Sequence, residues 1–116
     1  MKTEREKAPL PADILEALPR VRTLCVNYPD CAETLTYGNP TFKRAGKAFV
    51  VLDRYKGLSC LWLLVDPVLR DDQLTVDGWF ASPYDPRQAA LCCRLDKLEW
   101  AVLGPLIDAS YALAKR

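Results

Sequence analysis

The chain of 116 residues contains no histidine. That excludes Ser-His-Asp triads, Cys-His pairs, HExxH zinc sites and any imidazole acting as acid, base or pH switch. A charge excess is also missing, since 16 Lys+Arg stand against 15 Asp+Glu for a formal +1. Domains built chiefly to coat nucleic acid carry a strong basic excess, so any basic surface here has to be local. The longest apolar run, Cys60 to Val65, is six residues, against about 20 for a membrane-crossing helix. All five glycines are isolated, so neither a Walker A loop nor GxGxxG is spelled out. Cys25, Cys31, Cys60, Cys92 and Cys93 contain no CxxC pair, which leaves no zinc-ribbon or thioredoxin-type motif. The charged start, Met1 to Lys7, runs into Pro9 and Pro11 instead of an apolar stretch, so no secretory signal is read. These absences predict a soluble cytoplasmic protein with reduced thiols, no cofactor, no metal and no membrane contact.

What is present is a globular composition, 50% hydrophobic and 27% charged, at a length that holds one domain. Residues 1–9 read as a flexible polar leader and 10–116 as a single domain. Ile14, Leu15, Leu18, Val21, Leu24 and Cys25 recur at helical spacing from about Pro11 to Asn27. Pro19 interrupts that pattern and predicts a kink or two short helices. From Glu33 to Asp66 the pattern is β: strands around Thr34–Tyr37, Thr41–Arg44, Lys47–Arg54 and Leu58–Asp66, divided by glycine-containing turns. A short helix is expected over Pro67–Leu74, a brief strand or coil over Trp79–Ser82, and a last strand over Gln88–Leu95. Asp96 with Glu99 resembles a capping box for a final helix, whose regular part Gly104-Pro105 pushes to near Ala101. Strands in a run with helices grouped around them predict an α+β two-layer sandwich, an antiparallel sheet with its helices on one face. In Ala48–Leu52 and Cys60–Val65 both alternating faces are apolar. The second face is therefore either shielded within the chain or a partner surface, including a homodimer contact.

These residues carry a resemblance. Leu24-Cys25 ahead of Tyr28-Pro29, Glu33-Thr34, Tyr37-Gly38-Asn39-Pro40-Thr41-Phe42, Gly46-Lys47 with Phe49 and Val51, and Tyr55-Lys56-Gly57 stand in one order, followed by Pro83-Tyr84, Leu95-Asp96, Trp100 and Ser110-Tyr111. Over roughly 100 residues the chain resembles the MmcQ/YjbR-like family of small bacterial proteins. The resemblance implies an α+β sandwich similar to secretion chaperones and frataxin-like proteins, and DNA binding through two β-hairpin wings. Ala89-Ala90 stands where many relatives have Gly-Trp, which removes an aromatic that could stack, and Gly104-Pro105 replaces a charged, strongly helical stretch.

Three binding readings follow, none of them enzymatic. Lys43, Arg44, Lys47, Arg54 and Lys56 are five basic residues in fourteen, opposed only by Asp53. With Arg87 they could follow a phosphate backbone from hairpin ends, giving weak, salt-sensitive DNA binding without base readout. The second reading is a protein-interaction or chaperone-like module using the apolar sheet face. A third places a small ligand among Tyr37, Asn39, Phe42 and Tyr84, with Trp79 and Arg87 nearby. Cys92-Cys93 reads as two separately packed thiols, because neighbouring strand residues point to opposite faces. Asp71-Asp72 and Asp96/Glu99 read as charges at helix starts, not as catalytic acids.

Overall fold

The computed structural model describes residues 9–83, 85 and 87–115. Helix α1 (Ala12–Cys25) leads into four consecutive strands, β1 (Cys31–Thr36), β2 (Asn39–Arg44), β3 (Lys47–Tyr55) and β4 (Leu58–Leu64). A short α2 (Arg70–Leu74), β5 (Trp79–Ala81), β6 (Ala90–Arg94), two 3-10 turns and α3 (Leu103–Leu113) complete the order. All six strands form one antiparallel sheet in the order β1-β2-β3-β4-β6-β5. The α+β architecture with helices packed on an antiparallel sheet is the one the sequence predicts. The leader expected over 1–9 falls outside the described residues except for Pro9.

Three two-residue turns set the register of the first four strands. Tyr37-Gly38, Ala45-Gly46 and Lys56-Gly57 all have positive φ at both positions, the combination that matches the twist of a β-hairpin. In each pair the glycine takes the second site without steric cost, and the preceding residue tolerates the left-handed region because the hairpin holds it there.

Helix α1 is continuous through Pro19, not kinked into two pieces as its sequence predicts. The physical reason is placement. Pro19 and Leu15, whose carbonyl loses its helical donor, both lie on the exposed side of the helix, where water satisfies that carbonyl. The capping box is likewise not formed. Asp96 pairs with Arg94 at 2.6 Å, residues 95–97 and 100–102 make 3-10 turns, and α3 begins at Leu103 with Pro105 inside its first turn.

The core lies between the sheet and helices α1 and α3. Ile14, Val21, Leu103 and Ile107 from the helices and Phe49, Val50, Leu52, Leu61 and Leu63 from the sheet are completely buried. A bulge explains why both Phe49 and Val50 serve this side. The β2–β3 register shifts between Phe42 and Lys43, so that Phe42 pairs with Val50 and Lys43 with Ala48, leaving Phe49 as the extra residue. Phe49 then meets the rings of Tyr28 and Tyr111 edge-on, at 5.9 and 5.3 Å.

The bulge also opens the neighbouring ladder. Strand β4 pairs with β3 up to Leu63 opposite Val50; the next rung would join Leu64 N–H to the Phe49 carbonyl. In its place stands the Ser110 hydroxyl of α3, which accepts from Leu64 N at 2.9 Å and donates to Phe49 O at 2.6 Å. Ser110 is fully buried. The adjoining Tyr111 stacks on Tyr28 at 4.3 Å and donates its hydroxyl to Pro29 O at 2.7 Å. The guanidinium of Arg44 lies 4.2 Å over the Tyr111 ring and donates to the Tyr111 carbonyl.

All five cysteines are free; Cys25, Cys60, Cys92 and Cys93 are buried and Cys31 is half-buried. Cys92 pairs with Trp62 and Cys93 with Leu61, on opposite faces of the sheet, as two separately packed thiols. Burial pushes the Cys25 thiol up to about 12 and the Cys93 thiol up to about 11. A hydrogen bond with Cys92, reinforced by burial, raises Cys60, while burial and the Glu33 carboxylate raise Cys31.

Two outcomes test this description. Ser110→Ala strands both a buried N–H and a buried carbonyl, so chemical denaturation should report a loss of about 1–3 kcal/mol; an unchanged midpoint would refute the bridging role. A thiol titration with Ellman's reagent at pH 8 should count one reactive thiol in the native protein and five in denaturant. Cys31→Ser should remove the native signal.

Candidate functional site

The side chains of β4 divide by parity. Ser59 donates to Asp13 of α1 at 2.8 Å, which places Ser59, Leu61 and Leu63 on the helix side. Cys60 and Trp62 therefore face the other way. Through the register, Thr41 and Val51 join Trp62 on this helix-free face, with Cys92 beyond. Thr41, Cys60 and Cys92 are buried, whereas Val51 and Trp62 are partly exposed. The second face is thus shielded within the chain over its centre and open over one flank.

That flank is concave. A cavity of about 580 Å³ is lined by Thr36, Tyr37, Asn39, Thr41, Ala48, Val51, Asp53, Arg54 and Trp62, within the size range of small-molecule sites. Val51, Ala48 and the Trp62 ring supply apolar wall. Polar groups gather at one end, where Asn39 Nδ2 donates to Asp53 Oδ1 at 3.0 Å and Arg54 Nε donates to Asn39 Oδ1 at 2.8 Å. Asp53 Oδ1 also accepts from the Arg54 backbone N–H at 2.8 Å, and the Thr41 hydroxyl donates to Asn39 O. Carboxylate and guanidinium balance, so the lining has no net formal charge. Among the described residues no buried side-chain polar atom lacks a partner, so the polar end needs no ligand to complete it.

The predicted site residues separate. Tyr37 and Asn39 come together in this cavity. Phe42 does not: as the pair of Val50 it points to the helix side and is buried in the core, beside Cys25 and Cys31, a correction to its reading as a loop residue open to ligand. Tyr84 lies outside the described residues. Trp79 lines a different groove, of about 600 Å³, with Val76, Leu98 and Leu106. Sequence reasoning passed over Thr41, Val51 and Trp62. Their signal was the apolar second face of β3 and β4, visible in the sequence but not connected to the Tyr37 loop.

The basic stretch does not converge. Lys43, Arg44 and Lys47 flank the β2–β3 turn, while Arg54 and Lys56 flank the β3–β4 turn at the other end of the nine-residue β3, about 25 Å away at the strand rise. Arg44 is held on Tyr111, and Arg54 donates to Asn39 and to Pro9 O. Lys47, Lys56 and Arg87 are exposed and Lys43 is partly so. Arg87 precedes β6, whose first residue Ala90 pairs with Leu64, so it shares the end of the sheet occupied by Lys43 and Lys47.

Cys60 is held protonated on the same face, and Asp53 is engaged by Asn39. Among the described residues no cluster of three or more His, Cys, Asp or Glu could hold a metal ion, and no helix is long and apolar enough to cross a membrane.

No family model matches the chain, and no curated protein matches it by sequence. Solved structures do share its fold. A protein from Pseudomonas syringae superposes with a TM-score of 0.71 at 13% identity, the match covering 84% of this chain and 97% of that one. A Deinococcus radiodurans protein, DR2400, with the domain of unknown function DUF419, superposes with a TM-score of 0.69 at 20% identity, over 83% of this chain and 76% of that one. DUF419 is the YjbR/MmcQ-like domain, so the fold implied by the sequence motifs is also the fold of this neighbour.

Proposed function

We propose that this chain is a non-catalytic binding domain of the YjbR/MmcQ-like kind, and that its helix-free sheet face takes an uncharged, largely apolar small molecule. The observation that carries the reading is the cavity of about 580 Å³ whose floor is Val51 and Trp62. A partly exposed indole beside aliphatic side chains favours a flat apolar ligand. The internally balanced Asn39–Asp53–Arg54 end offers hydrogen bonds but no net charge. The lack of histidine and the protonated thiols support a role in binding over chemistry.

Protein-observed proton–nitrogen NMR with neutral aromatic and heteroaromatic fragments tests it. Hits should perturb the Trp62 indole N–H, and Val51→Arg, which fills the floor from a partly exposed position, should weaken them at least about tenfold without altering the fold. Fragments that bind equally well to Val51→Arg would sink the assignment, as would an empty screen.

Phosphate-backbone contact is a second reading, favoured by one observation: Lys43, Lys47 and Arg87 share one end of the sheet. Three cations release few counterions, so duplex binding should have a log–log salt slope no steeper than about −3. The double variant Lys43→Glu/Lys47→Glu should abolish it. A steeper slope, or binding unaffected by that variant, would rule out this end as the contact.

A further inference from the structure

The sheet ends on one side at β1, whose outer edge has no strand beside it among the described residues. The Tyr37-Gly38 turn fixes which backbone groups face outward. A two-residue hairpin closes on a hydrogen-bonded pair, here Thr36 with Asn39, and bonding alternates from there. Thr36, Thr34 and Ala32 therefore bond inward to β2, and the N–H and carbonyl groups of Leu35, Glu33 and Cys31 point out. Pro40 fits this count, because it stands opposite Leu35 in a non-bonded pair where β1 asks no N–H of it.

Edge strands of this length are normally blunted by proline, lysine, a bulge or a covering element. Strand β1 has none of the first three: its sequence is CAETLT and its register with β2 is unbroken. Residues 32–36 are all exposed, Leu35 at 68%. The sole charge, Glu33, is already paired with Arg22 of α1 at 2.8 Å.

We propose that β1 pairs antiparallel with β1 of a second copy of this chain, with Thr34 on the two-fold axis, giving a continuous twelve-stranded sheet. The symmetry selects the register. A two-fold pairing of identical strands places one residue opposite itself, and the outward groups belong to Cys31, Glu33 and Leu35. Centring on Glu33 opposes two carboxylates directly, which is destabilising. Centring on Leu35 leaves Glu33 opposite Tyr37, a turn residue at φ 52. Centring on Ala32 would set Glu33 against Cys31 and leave the exposed Leu35 opposite Pro29, outside the strand; centring on Thr34 sets Glu33 against Leu35 of the other copy on both sides of the axis, so that the outward groups of both residues are exchanged. It also brings the two exposed Leu35 side chains into diagonal contact on the helix side and the two Thr34 hydroxyls together on the other. A chain of formal charge +1 adds little repulsion between copies. The second copy is the occupant because this register pairs the outward groups of Glu33 and Leu35 with each other, sets no two carboxylates directly opposite and covers the exposed Leu35 of both copies.

A single strand pair buries less than a standard interface, so the dimer is concentration-dependent. Sedimentation velocity between about 10 and about 500 µM should move the weight-average mass from monomer toward dimer. Leu35→Pro is the selective variant, because it removes only an outward N–H; it should remain monomeric throughout while keeping its thermal midpoint within a few degrees. Should it fail to fold, Leu35→Lys, which sets a cation at the same edge, serves in its place. A geometric readout comes from Thr34→Cys in a Cys31→Ser background. Oxidation with copper–phenanthroline should link two copies through residue 34, and Glu33→Cys in the same background should link poorly, because it faces Leu35. A monomer at every concentration would overturn the proposal, leaving the edge to a different chain. A dimer that survives both Leu35 variants, or equal cross-linking at positions 33 and 34, would overturn the strand and register assigned.

Discussion

The Ser110 hydroxyl is the interaction on which the sheet and its helical layer jointly depend. Inserting Phe49 as a bulge turns two consecutive large side chains into the core, but it withdraws the Phe49 carbonyl from the Leu64 N–H that would complete the β3–β4 ladder. Leaving both groups buried without partners would cost several kcal/mol. One hydroxyl from α3 answers both, as acceptor and donor at once. The pair of bonds restrains the depth and rotation of α3, since a shift of one residue along the helix removes the hydroxyl from the gap.

Around that point the remaining aromatic contacts are consequences. Once Ser110 is seated, Tyr111 faces Tyr28, and Phe49 meets both rings edge-on. Arg44, one residue from the β2–β3 turn, is drawn over the Tyr111 ring. Several of the residues that carry the YjbR/MmcQ resemblance, Tyr28-Pro29, Phe49 and Ser110-Tyr111, thus meet in one place. They meet as scaffold. Their spacing follows from a bulge and its repair, so packing alone accounts for their recurrence together.

The same distinction accounts for what could be read from the sequence. The hairpin succession was legible because each turn is an X-Gly pair between runs of strand-forming residues, and a two-residue loop leaves the register no freedom. Pro19 misled because a proline reports a lost hydrogen bond, whereas the cost depends on whether the orphaned carbonyl is dry or wet, a matter of helix orientation. Phe42 misled because its neighbours Asn39 and Pro40 look like loop, yet both belong to β2, and strand parity sends Phe42 inward. The basic stretch shows the limit from the other side. Five cations close in sequence are divided by a nine-residue strand and two of them are consumed by internal bonds, so linear density says little about surface charge.

Near-neutral charge bears differently on the two faces of the sheet's β1 side. In the cavity, Asp53 and Arg54 cancel, and their hydrogen bonds to Asn39 tie the start of β2 to the end of β3 beside Val51 and Trp62. At the edge, Glu33 is cancelled by Arg22, which removes the charge that would otherwise blunt an open strand. Thr36 and Tyr37 belong to both places, ending β1 and lining the cavity. Pairing of β1 across a two-fold axis would therefore bring two cavities to either side of one seam.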